Sequence, residues 1–132
     1  MKKKILFIMM LIMTLTGSYT SETNAASNTE IIKPDFVVKP RSEIVLEGFN
    51  VTITAKITGK PYPTVNIYHN DYTVENDKRH TKTIDSKTGE IKLTITDVQP
   101  KDDGKYTIVA QNKAGIATAS CELIVLEFDD GL

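Results

Sequence analysis

Few side chains in this sequence have types that could do chemistry: two histidines, His69 and His80, one cysteine, Cys121, and the carboxylate pairs Asp102-Asp103 and Asp129-Asp130. Catalysis needs several such groups converging in one cleft. Neither histidine has a cysteine or a second histidine at ligand spacing, so no zinc site is expected, and both are read as solvated residues of loops or strand ends. Cys121 falls in an alternating run with Ala119, Leu123 and Val125, which makes it a small buried hydrophobe with a raised pKa. A lone thiol leaves no internal disulfide. Calcium takes about six to eight oxygens from a folded cage, and two neighbouring carboxylates do not build one. The first acidic pair is therefore turn chemistry and the second a solvated tail. No glycine-rich phosphate loop and no Ser-His-Asp order is present. The expectation is a protein with no catalytic residue, no metal and no cofactor, and hence not an enzyme.

What remains is binding. Tyr68 and Tyr72, with His69, Asn70 and Thr73 beside them, place tyrosines outward next to a short edge strand, the composition of a protein-contact face. The plainer reading is that they merely cover the sheet. Asn50-Val51-Thr52 fits the acceptor pattern for an N-linked glycan at the mouth of a strand.

These residues must be positioned by strands, because the apolar pattern has period two almost throughout. Val51, Ile53, Ala55 and Ile57 share one side of a run whose other side is Thr52, Thr54, Lys56 and Thr58, and such alternation belongs to a sheet with one wet face. Thr64 to Tyr68 repeats it with Val65 and Ile67 inward, Glu90 to Thr96 with Ile91, Leu93 and Ile95, and Ala117 to Glu127 with Ala119, Cys121, Leu123 and Val125. Pro34 and Pro40 bracket an edge strand over Asp35 to Lys39, where a missing ladder donor does no harm. Ile44-Val45-Leu46 continues that edge after a switch. Tyr72 to Val74 is a short edge strand at best, and His80 to Asp85 is a weaker strand.

The stretch from Asp102 to Ala110 organises the rest. Asp102, Asp103 and Gly104 supply turn acceptors and a residue tolerant of positive φ, and then Tyr106, Ile108 and Ala110 turn inward. Tyr106 can bury its ring and return its hydroxyl to a backbone carbonyl, as at the corner of a two-sheet sandwich, or be an ordinary half-buried strand tyrosine. Seven to nine short strands, with turns every eight to twelve residues or so, predict an all-β, two-sheet antiparallel Greek-key sandwich.

Length and composition agree. The chain has 132 residues, room for one domain; its net charge is −1, so no global field recruits nucleic acid or an anionic membrane. Met1-Lys2-Lys3-Lys4, the apolar run Ile5 to Leu15 and the small polar residues ending at Ala25-Ala26 have the three-part layout of a secretory signal peptide, and the apolar run is shorter than the roughly 20 residues of a membrane span. Cleavage of residues 1–26 would leave no stable membrane anchor. Residues 27–33 are expected to be a flexible leader, 34–127 the folded domain and 128–132 a fraying acidic tail.

Four motifs in register give the chain a resemblance to intermediate-set (I-set) immunoglobulin domains, most closely those of the titin, twitchin and myosin light-chain kinase group. Gly59-Lys60-Pro61-Tyr62-Pro63 resembles the family's loop between its second and third strands, and Leu93-Thr94-Ile95 its fifth-strand signature. Asp102, Gly104 and Tyr106 fit its Asp-x-Gly-x-Tyr corner, and Ala110 to Gly115 its Ala-x-Asn-x-x-Gly hairpin. The resemblance implies that the family's two core cysteines fall at Ala55 and Ile108 and its core tryptophan at Ile67, so Ala55, Ile67 and Ile108, with Leu93 and Tyr106, form an apolar substitute for the usual pin. It implies a non-enzymatic module, expected to be monomeric, that binds a protein partner. With the leader, the first reading is a secreted binding or adhesion module; the alternative, carried by the missing disulfide, is a structural muscle module in the sarcomeric cytoplasm.

Overall fold

The alternating runs produce nine strands in the computed structural model, which describes residues 30–128: β1 (Ile32–Val38), β2 (Glu43–Leu46), β3 (Val51–Lys60), β4 (Thr64–His69), β5 (Tyr72–Thr73), β6 (His80–Asp85), β7 (Glu90–Ile95), β8 (Gly104–Asn112) and β9 (Gly115–Leu126). They form a four-stranded sheet in the order β1-β3-β7-β6 and a five-stranded sheet in the order β2-β9-β8-β4-β5. The inner faces meet in a core to which β3, β4, β7, β8 and β9 contribute alternate residues. Burying each isoleucine or leucine there contributes roughly 1.5–3 kcal/mol.

Ala55 on β3 and Ile108 on β8 belong to opposite sheets and are each 2% exposed. Ile67 stands beside Ile108 in the β4–β8 register, and Leu93 and Tyr106 are also buried. Aliphatic side chains therefore fill the space between the sheets, and Cys121, the one thiol, is buried and free.

Three expectations need correction. The flexible leader does not extend to Lys33: Ile32 and Lys33 already belong to β1, where Ile32 pairs with Lys60. The sandwich is not wholly antiparallel, because β2 lies parallel to β9, from Glu43 beside Leu123 to Leu46 beside Leu126. The chain leaves β1 through Lys39-Pro40-Arg41-Ser42, and proline, having no ladder donor, suits a switch from one sheet to the other; period-two alternation fixes which side chains face inward but not strand direction. At the tail, Phe128 is held, its amide donating to Glu47 Oε1 at 2.9 Å. The signal-peptide expectation for residues 1–26 lies outside the described residues, as do residues 129–132.

One side chain closes the far end of the sandwich. Asn112 Nδ2 donates to the carbonyls of Ile32 (2.8 Å) and Pro61 (3.0 Å), while its Oδ1 accepts from Ala114 N at 2.8 Å. A single amide thus ties β1, the two-proline loop and the β8–β9 turn, which explains an asparagine at that hairpin position. The Lys60–Pro61 bond in the loop is cis.

Because Ala55 and Ile108 face one core from opposite sheets, the Ala55→Cys, Ile108→Cys double variant is expected to oxidise to a bridge, a geometry needing Cα atoms about 4.4–6.8 Å apart. Thiol titration of the unfolded, unreduced variant should find only Cys121 free, and stability should rise by about 2–4 kcal/mol on oxidation. Persistence of the dithiol under oxidising conditions would contradict the placement.

Candidate protein-contact site

The site begins at the corner between β7 and β8. A short 3-10 turn, Pro100–Asp102, leads into Asp103 and Gly104, and Asp102 is buried at 3% exposure. A carboxylate taken out of water must be paired and hydrogen-bonded. Asp102 is both: Arg79 donates to it in a fork, Nη1 to Oδ2 at 2.7 Å and Nη2 to Oδ1 at 3.1 Å, and the Gln99 amide donates to Oδ2 at 2.7 Å. Two parallel N–H bonds to one carboxylate are the strong form of this interaction. Arg79 Nη1 also reaches the carbonyls of Thr96 (3.4 Å) and Asp97 (3.2 Å).

Tyr106 closes the corner by donating its hydroxyl to the Asp102 carbonyl at 2.6 Å. Burial first, and then the Asp102 charge, push its phenol pKa well up, so it remains a donor. Asp103 works outward, with Oδ2 accepting from Val125 N of β9 at 2.8 Å. Asp102 and Asp103 are thus more than turn formers. One closes an ion pair with the residue before β6, and the other pins β9.

Both histidines sit at strand ends as expected, His69 closing β4 and His80 opening β6, but neither is a solvated bystander. His69 stacks on the Tyr106 ring with centroids 4.4 Å apart and planes 3° from parallel, and its Nε2 donates to the Asp103 carbonyl at 2.7 Å. His80 is mostly covered: Nδ1 lies 2.9 Å from Asp77 Oδ1 and Nε2 3.6 Å from Asp102 Oδ1. Sequence reasoning missed them, with Arg79 and Asp77, because the Arg79–Asp102 and His69–Asp103 partners lie 23 and 34 residues apart and the local Asp77–His80 contact leaves no periodic signal. The available signal was Asp77 and Arg79 immediately ahead of a strand, facing a corner that needed a cation.

The carboxylates carry the electrostatic record of this packing. Burial raises the Asp102 pKa, but the Arg79 hydrogen bonds, the Gln99 amide and the Arg79 charge outweigh it and leave the group below its usual value. Asp77 is lowered to about 2, first by the His80 side chain and then by the amides of Arg79 and His80. At Cys121, burial, then Glu122 and Glu43, raise the thiol to about 11.

The tyrosines stand on this corner. Gly104 has φ +134, and a Cβ there would meet Asn70 Oδ1 at 2.9 Å and His69 Nε2 at 3.0 Å, so only glycine lets the β4–β5 turn seat against the start of β8. Asn70, at φ 56, donates its amide to the Lys105 carbonyl (2.7 Å) and accepts from the Lys105 amide (3.2 Å). On the surface, Tyr68 is half-buried beside a shallow groove lined with Asn70, Asp71, Lys105 and Thr107. Tyr72, opposite His69 in the β4–β5 register, is 78% exposed; sharing the His69 face, it lies on the other side of the sheet from Tyr68, so the two tyrosines do not form the single patch expected of them. Asn50 lies elsewhere, in the turn before β3, exposed, with its Oδ1 accepting from Asp97 N at 3.0 Å. Among the described residues, no group of three or more histidine, cysteine or acidic side chains is arranged to hold a metal ion, and no helix is long and apolar enough to cross a membrane.

Two facing sheets, a buried Asp-x-Gly-x-Tyr corner and β2 switching sheets define an immunoglobulin-like sandwich. The family model described as "Immunoglobulin I-set domain" matches residues 34–125, and the chain belongs to that family. Human myotilin is 32% identical over 109 residues, covering 83% of this chain and 22% of that protein. A titin homolog of Caenorhabditis elegans is 31% identical over 110 residues, covering 83% of this chain and 1% of that protein. The chain therefore spans only a small part of these relatives. Among solved structures, the titin domains Z1Z2 in complex with telethonin superpose with a TM-score of 0.71 at 28% identity, over 76% of this chain and 50% of that one. The complex of titin M10 with an obscurin-like 1 immunoglobulin domain gives 0.70 at 28% identity, over 74% and 98%.

The depressed carboxylates predict acid sensitivity with a definite sign. Asp77 and Asp102 titrate lower in the folded chain than their ordinary value of 3.8, so their stabilisation is present above that value and lost as pH falls through it toward about 2. Unfolding midpoints measured from about pH 5 down to pH 2 should fall steadily, and less so in Asp77→Asn. A flat profile in the wild type would show that the carboxylates are not paired in solution.

Proposed function

We propose that this chain is a non-enzymatic protein-binding module of the titin and myotilin kind, monomeric, which docks a protein partner at the edge where the β4–β5 turn presents Tyr72. The observation that carries this reading is Tyr72: an exposed aromatic ring on a turn that Gly104, Asn70 and His69 hold rigidly against the corner. Tyrosines are enriched among the residues that dominate contact energies. Immunoglobulin neighbours crystallised in complexes with telethonin and an obscurin-like domain support recognition as the class of function. The muscle relatives support a structural setting inside the cell, the context in which a domain without its core disulfide needs no oxidising compartment.

A second reading, an exported binding or adhesion module, is favoured by the basic opening and apolar run of residues 1–15. Under it Asn50 becomes a glycan acceptor. The mass of the native chain separates the two readings: retained Met1 supports the intracellular setting, and a start near Ser27 supports export.

A photo-crosslinking residue at position 72 should yield a defined adduct with another protein in the native source. The same residue at position 56, among the outward threonines of β3, should not. Equal labelling from both positions, or none from 72, would reject the Tyr72 edge as the contact.

A further inference from the structure

Four strands form the edges of the two sheets, and three of them are closed to an added strand. β6 turns Lys82 inward, its Nζ donating to the Val74 carbonyl at 3.2 Å, while Asn76 and Asp77 side chains take the amides of Lys82 (2.6 Å) and His80 (2.8 Å). β1 contains Pro34 and two register irregularities against β3. β5 is only two residues long. Inward lysine, proline, bulges and shortness are the ways native sheets keep their edges from pairing. β2, Glu43-Ile44-Val45-Leu46, has neither a proline nor an inward lysine.

Its outer face is also apolar. Ile44 stands beside Ile124 and Leu46 beside Leu126; Ile44 is 67% exposed and Ile124 43%, and Leu126 and Phe128 are exposed beyond them. Carboxylates surround this strip: Glu43 and Glu47 on the alternate positions of β2 and its turn, Glu122 and Glu127 along β9 and past its end. The basic groups nearby are Arg41 ahead of β2, Lys101 in the 3-10 turn, and Lys105, opposite Glu122 in the β8–β9 register. A second copy would bring like-charged rims together, which disfavours self-association here.

We propose that the β2 edge takes an extended segment of a partner protein in which apolar residues alternate with lysine or arginine. The segment adds to β2 as a strand. Its apolar side chains lie beside Ile44 and Leu46, and the intervening cations meet Glu43 and Glu47, since alternate residues of a strand point to opposite faces. This rests on the reading of the chain as a protein-binding module and names a partner chemistry for it.

The test uses the full chain with two synthetic fluorescent peptides, one alternating lysine with valine and one alternating glutamate with valine. The lysine peptide should bind and the glutamate peptide should not, with amide shift changes centred on Glu43–Leu46 and Leu123–Leu126. Ile44→Ser with Ile124→Ser should weaken binding about tenfold or more, while Ile116→Ser, exposed at the opposite end of β9, leaves it within about twofold. Should the serine pair unfold the chain, Ile44→Lys alone serves in its place. No binding, shift changes elsewhere, or binding indifferent to Ile44 and Ile124 overturns the assignment. A crosslink from position 72 that persists when the peptide ignores β2 leaves the module reading standing without this site, and loss of both rejects both.

Discussion

A single buried carboxylate holds the two sheets in register at one end of this molecule. Asp102 takes both arms of the Arg79 guanidinium, which precedes β6 of one sheet, while its own carbonyl takes the hydroxyl of Tyr106 on β8 of the other. Burying an ion pair is costly, and the net gain over apolar packing is small. Removing one partner is another matter, because it strands a charge away from water. The corner is therefore better understood as a specificity device: only one arrangement of β6, the 3-10 turn and β8 satisfies the arginine fork, the Gln99 amide and the tyrosine together.

The same corner reaches the surface by two routes. Through the Asp103 carbonyl and the stacked His69 ring it sets the β4–β5 turn, and with it Tyr72; through Asp103 Oδ2 it pins β9 at Val125, next to the strip where β9 meets β2. Both candidate contact faces are thus anchored to one polar knot rather than to loops free to move. Pre-organised surfaces of this kind lose little entropy when a partner docks.

How much of this was legible in the sequence follows from what each feature depends on. Period-two alternation fixed the inward residues of β3, β4, β7 and β9, because each strand has one dry face. The Asp-Asp-Gly-x-Tyr order pointed to the corner, since turn chemistry and the following strand are local. The Arg79–Asp102 fork, the His69 stack and the Asn112 ties were not visible: their partners are distant in sequence, and polar side chains give no periodic signal. The histidines looked solvated because isolated imidazoles usually are. The parallel course of β2 was hidden for a related reason, since alternation is the same whichever way a neighbour runs. Tyr68 and Tyr72 could be singled out by composition, but only the β4–β5 register shows that they face opposite sides of the sheet, and only the contacts of Gly104 and Asn70 explain why Tyr72 sits where it does.

A double-mutant cycle over Arg79→Met and Asp102→Asn, read by denaturant unfolding, tests the central place of the corner most directly. If the carboxylate and guanidinium form one buried unit, each single change should cost about 2–4 kcal/mol and the pair should couple by about 2 kcal/mol, the double variant losing much less than the sum. Additivity within about 0.5 kcal/mol would mean that the two groups do not depend on each other, and that the sheets are held by aliphatic packing alone.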